Sequence, residues 1–145
     1  MKAITIYKHG NIDALNIAEL KNPICTPNKV LIKVKACSIN HLDIWVRNGI
    51  PGLNIPLPLI LGSDGSGIIE EAGSNIDGFK NGDKIIIQPG TFDSNCSKVQ
   101  NGNENYSKSY GILGETENGV QSEYVLLDKK NIYKMPNHLS FEEAA

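Results

Sequence analysis

The sequence is short of cysteine, of net positive charge and of long apolar runs, and each shortage excludes something. Cys25, Cys37 and Cys96 are odd in number and far apart. That suits reduced thiols in a cytosol better than a disulfide framework. The formal net charge is −2, with no basic patch to hold nucleic acid. No apolar run approaches the roughly 18–20 residues of a membrane-spanning helix, so no membrane partner is expected. Met1-Lys2-Ala3-Ile4 does not open a signal peptide's long apolar core, and the expected location is cytoplasmic. No internal repeat is present. What remains is globular: 40% hydrophobic and 21% charged residues over a 145-residue chain, enough for one domain with a real core.

The chain is organised around Leu61–Gly73, where Gly62, Gly65, Gly67 and Gly73 flank a strand-like run. Glycine inside such a run marks a bulge, a sharp bend or the close approach of another chain. Ile68 and Ile69 read as its buried part. Before it, alternation predicts strands at 3–7, 15–20 and, most clearly, Lys29–Cys37. There Val30, Ile32, Val34 and Ala36 share one face, with Lys33 and Lys35 on the other. From Asn40 to Gly49 the spacing turns helical. Asn40 is the N-cap, Asp43 completes a variant capping box, and Gly49 stops the helix. Leu42, Trp45 and Val46 form an apolar stripe that places Trp45 in the core, and Asp43 and Arg47 pair at i, i+4 on the opposite side. Pro51, Pro56 and Pro58 enforce an extended loop. Strands follow at 84–88, 121–127 and 132–135. Between them, Pro89–Gly119 is long and polar, and connections of that length are usually functional or the relic of a function. Ser140-Phe141-Glu142-Glu143 is a capping box opening a helix that the chain leaves at Ala145, which predicts a fragment of a longer polypeptide. Many short strands with little helix predict a mainly β, partly open barrel with short helices.

Several stretches together carry a family resemblance. Gly62-x4-Gly67-x5-Gly73-x2-Ile76 follows a Gly-His-Glu-x2-Gly-x5-Gly-x2-Val pattern with the His, Glu and Val replaced. Asn40–Gly49, Gly82-Asp83-x-Ile85, Gly111–Glu115 and Leu139–Ala145 agree as well. The chain thus resembles the N-terminal, GroES-like catalytic domain of the medium-chain dehydrogenase/reductase superfamily, which includes zinc alcohol dehydrogenases and quinone oxidoreductases. The resemblance implies a catalytic (substrate) domain over 1–138. Residues 139–145 then begin a helix leading to a Rossmann domain that binds NAD(P)H. It also implies a homodimer or homotetramer for the full-length protein, while the fragment is expected to be monomeric and inactive. Gly62-Ser63-Asp64-Gly65-Ser66-Gly67 is not the dinucleotide motif itself, because it leads into a strand rather than a helix.

By the same resemblance, the zinc ligands of relatives fall on positions ill suited to the metal. The first, a Cys, falls at Asn40; the His falls at Ser63 and the Glu at Asp64. A zinc ion wants thiolate, imidazole or carboxylate, so zinc is not expected. Plainer roles for these residues are a helix cap for Asn40, a small residue in a bend for Ser63, and an acceptor of turn amides for Asp64. The four thiols of a structural zinc site fall on Asp93, Cys96, Val99 and Ser107, leaving one of four. The loop is then held by local turns or is mobile.

The implied function is hydride transfer between NAD(P)H and a small carbonyl, quinone or enone. The alternatives are a zinc-dependent alcohol dehydrogenase and a non-enzymatic GroES-like binding module. Without a Lewis acid, an activated C=C is the easier target. Asn40, Asp43 and Asp64 are the candidate catalytic positions, and Asn40 and Trp45 the candidate substrate contacts. His41 matches the family position near the cofactor pyrophosphate, though a surface histidine is an equal reading. Leu42 stands where zinc enzymes carry a hydroxyl proton relay.

Overall fold

The computed structural model describes residues 1–95 and 102–145. Among the described residues, ten strands form three sheets. The first has the order β2-β1-β4, from β1 (Lys2–Ile6), β2 (Leu15–Glu19) and β4 (Leu59–Ile60). The second is five-stranded, β10-β6-β5-β3-β9, from β3 (Lys29–Cys37), β5 (Gly65–Ala72), β6 (Lys84–Ile87), β9 (Tyr124–Asp128) and β10 (Ile132–Lys134). The third pairs β7 (Gly90–Thr91) with β8 (Gly111–Ile112). Each pairing between these described strands is antiparallel. Residues 119–123 join the first two sheets. The Ile4 N–H donates to the Gln121 carbonyl at 2.8 Å, and the Val34 N–H to the Glu123 carbonyl at 3.0 Å. The result is the curled, partly open barrel that the strand pattern predicts.

The glycine stretch bends as its composition requires. Register shifts fall between Leu31 and Ile32 and between Val34 and Ala36 in the β3–β5 pair. At Gly67 a Cβ would stand 2.5 Å from the Lys33 carbonyl oxygen, so only glycine lets the two strands close. The shifts also explain why Leu31 is buried beside Val30 and Ile32 although strict alternation would face it outward. Ile69 is fully buried while Ile68 is only half-buried.

Two apolar clusters hold the molecule. One fills the barrel with Val30, Ile32, Ile69, Ile85, Ile87 and Val120. The other, Ile6, Val46, Ile55, Leu59 and Leu61, pins α1 (His41–Asn48) against β1 and β4. Full burial of one such side chain is worth roughly 1.5–3 kcal/mol, so Val46 alone anchors α1 substantially. At the far end the Ser140 capping box forms as expected. The Ser140 N–H donates to Glu143 Oε2 at 2.8 Å, and the Glu143 N–H to Ser140 Oγ at 3.2 Å. The following residues make only turns.

Candidate active site

The helix α1 starts where local chemistry says it should. Asn40 is extended (φ −115°, ψ 161°) at the N-cap, and Gly49 (φ 89°) ends the helix. The Asn40 N–H donates to Asp43 Oδ2 at 2.7 Å. The buried face differs from the expected stripe. Asp43 is buried beside Val46, whereas Trp45 is 56% exposed. The second Asp43 oxygen explains this. Oδ1 accepts the buried Gly62 N–H at 3.0 Å, and Gly62 itself has φ +91°. One carboxylate thus satisfies two backbone donors, at the helix start and at the glycine bend, and draws that side of the helix inward. The expected Asp43–Arg47 pair does not form. Arg47 Nε donates to the Gly10 carbonyl at 3.3 Å, and Nη2 to Asn48 Oδ1 at 3.2 Å.

Asn40 meets the glycine bend through its side chain. Its Nδ2 donates to Asp64 Oδ2 at 2.8 Å. Asp64 therefore takes a side-chain amide rather than the turn amides expected of it. Ser63 is buried, and its hydroxyl donates to the Leu113 carbonyl at 2.8 Å. Asn40, Asp43, Ser63 and Asp64 are thus brought together at the joint of α1 and β5. Their donor set does not fit zinc. It offers one partly exposed carboxylate at Asp64, a buried Asp43 carboxylate that already holds two backbone N–H groups, an amide and an already committed hydroxyl. Among the described residues, no three His, Cys, Asp or Glu side chains gather as a metal site. His41 and Trp45 stand apart, exposed on the outer side of α1 with ring centroids 6.1 Å apart. Gly62 and Leu113 are partners that no local pattern names, although the bend at Gly62 was legible from its glycines.

Behind α1 lies a cavity of about 250 Å³ lined by Ile4, Cys37, Ile39, Asp43, Ile44 and Gln121, among others. Partial burial, and then the Asp43 charge, push the Cys37 thiol above its ordinary range. In the long loop, Asp93 and Ser107 meet through Ser109. The Asp93 N–H donates to Ser109 Oγ at 2.9 Å, and the Ser107 and Ser109 hydroxyls are 2.9 Å apart. Cys96 and Val99 lie outside the described residues.

Residues 26–137 match the family described as "Alcohol dehydrogenase GroES-like domain". The chain belongs to that family. A solved NAD-dependent alcohol dehydrogenase is similar to this GroES-like domain at TM-score 0.94 and 40% identity, over 99% of this chain and 42% of that one. A zinc-type alcohol dehydrogenase-like protein of Schizosaccharomyces pombe is 35% identical over 122 residues, covering 82% of this chain and 33% of its own. Human quinone oxidoreductase is 30% identical over 146 residues, covering 100% of this chain and 36% of its own. The GroES-like domain thus spans between a third and about two fifths of the length of these proteins.

Proposed function

We propose that residues 1–138 are the catalytic domain of a longer NAD(P)-dependent oxidoreductase, and that residues 139–145 lead into its cofactor domain. The whole protein transfers a hydride between the nicotinamide and a small organic substrate without a catalytic zinc. Bound NAD(P)H supplies the hydride, and this domain supplies one wall of the cleft. Its homo-oligomeric state and cytoplasmic location belong to the same proposal, as does the inactivity of this domain alone.

One observation carries the zinc-free part. The side chains where zinc relatives carry ligands are engaged elsewhere: Ser63 on the Leu113 carbonyl and Asn40 on Asp64. With no Lewis acid to acidify an alcohol, the chemistry this site supports is addition to a polarised C=C of a quinone or enone, where the oxygen needs only donors. His41, at the first turn of α1, is proposed to contact the cofactor pyrophosphate, since free N–H groups at a helix start favour anions. Trp45 is proposed to line the cleft, in keeping with its exposure. The high identity to an NAD-dependent alcohol dehydrogenase favours a second reading, alcohol oxidation. The full-length protein decides between them. It is assayed with NADPH and NADH against quinones, enones and primary and secondary alcohols, with its zinc content measured on the same sample. Quinone or enone turnover by zinc-free protein supports the first reading. Alcohol turnover that tracks bound zinc supports the second.

A further inference from the structure

We infer that Asp64 is a positioning residue that locks the Asn40 side-chain amide so that it offers the cleft a hydrogen-bond donor, matched to an acceptor oxygen of the substrate. This rests on the oxidoreductase reading above and narrows its substrate class.

An asparagine amide carries two N–H donors on one arm and an acceptor oxygen on the other, and only its neighbours decide which arm faces where. An ionised carboxylate can only accept. Asp64 Oδ2 lies 2.8 Å from Asn40 Nδ2, so the nitrogen arm is held against Asp64. The turn that carries the amide is held as well: the Asp43 N–H donates to the Asn40 backbone carbonyl at 3.1 Å. One N–H is left over. The frame around it is fixed on every side. Asp43 Oδ2 holds the Asn40 backbone N–H at 2.7 Å, the Asp64 carbonyl accepts the Ser38 N–H at 3.2 Å, and Ser63 is tied to Leu113. A donor held in advance costs no reorganisation when charge develops on the oxygen it faces. A quinone or α,β-unsaturated carbonyl has such an oxygen. Its β-carbon takes the hydride from NAD(P)H, the π electrons move onto the oxygen, and one proton from water completes the reduced product beside NAD(P)⁺. An alcohol must instead give its hydroxyl proton to a base, and an amide N–H cannot be that base.

The test uses the full-length protein with NADPH and NADH, 1,4-benzoquinone and 2-cyclohexenone as probes, and two variants. Asp64→Leu removes the acceptor, and Asp64→Asn keeps an acceptor oxygen in place. The expected result for Asp64→Leu is a loss of kcat on the order of tenfold, as for weakening one oxyanion donor; KM is expected to stay within about twofold. Asp64→Asn is expected within about threefold of wild type, since an uncharged acceptor still orients the amide. Selective ¹⁵N-asparagine labelling, with Asn40→Ser for assignment, gives a second readout. The two Asn40 side-chain amide protons should be widely split in wild type and collapse toward free-amide positions in Asp64→Leu. Full activity in Asp64→Leu overturns the proposal, as does an unsplit Asn40 pair in wild type. Equal loss in both variants also overturns it, because charge and not orientation would then matter. If wild-type protein reduces neither probe with either cofactor, the oxidoreductase reading and its substrate class fall together, while the amide spectrum still decides whether Asp64 holds Asn40.

Discussion

The α1–β5 joint and the described part of the loop between β7 and β8 each cover positions that the family resemblance assigns to zinc ligands, yet they are wired differently. At the joint the bonds are long in sequence: Asn40 to Asp64, Asp43 to Gly62, Ser63 to Leu113. Asp43 and Ser63 are buried, and the joint leans on the cluster around Val46 and Leu61. In the loop, Asp93 and Ser107 bond to Ser109; Asp93 and Ser109 are exposed and Ser107 is buried. The joint is determined by the whole fold. The described part of the loop combines local bonds with a reach from outside it, since Lys130 Nζ donates to the Phe92 carbonyl and to Ser94 Oγ.

Four substitutions and modifications separate the two regions, from the largest effect to the smallest. Asp43→Ala removes the acceptor of two backbone N–H groups, one of them buried. Unfolding in urea should show a loss of about 3 kcal/mol, from two donors left unpaired at roughly 1–3 kcal/mol each. A loss below about 0.5 kcal/mol, within ordinary surface scatter, would mean that the joint does not depend on Asp43. Ser63→Ala takes one hydrogen bond from the Leu113 carbonyl and should cost about 1 kcal/mol by the same measurement. Ser109→Ala breaks the loop's local network and is expected within about 0.5 kcal/mol of wild type, as for surface sites generally. A cost equal to that of Ser63→Ala would erase the contrast. The smallest effect is chemical. Because burial and the Asp43 charge raise the Cys37 pKa, less thiolate is present at a given pH. Alkylation of Cys37 by iodoacetamide should therefore lag a free cysteine at pH 8, and its pH–rate curve should be displaced to higher pH. A curve at or below that of free cysteine would contradict the assignment.

What was legible in the sequence was what neighbours along the chain decide. Strand β3 appears with its expected limits, Lys29–Cys37, because alternation and the flanking turn residues set it locally. The caps of α1, Asn40 and Gly49, were readable for the same reason. The two-residue strands β4, β7 and β8 were not, since each exists only through a partner distant in sequence or across a long loop. The phase of α1 misled at Trp45. The apolar count favoured burying the indole, but the pull of Asp43 on Gly62 turned a different face inward, and nothing near residue 43 announces residue 62 as its partner. The same holds for Ser63 and Leu113, fifty positions apart. The resemblance placed Asn40, Ser63 and Asp64 at one location, and the tertiary bonds showed what occupies each of them.

The most direct test of the account is the metal content of the full-length protein, purified without chelator, dialysed in the presence of zinc and measured alongside its activity. The account predicts no stoichiometric zinc on the α1–β5 joint and quinone or enone reduction unchanged by chelation. One zinc per chain whose removal abolishes activity, and whose binding is lost in Asp64→Ala, would contradict it.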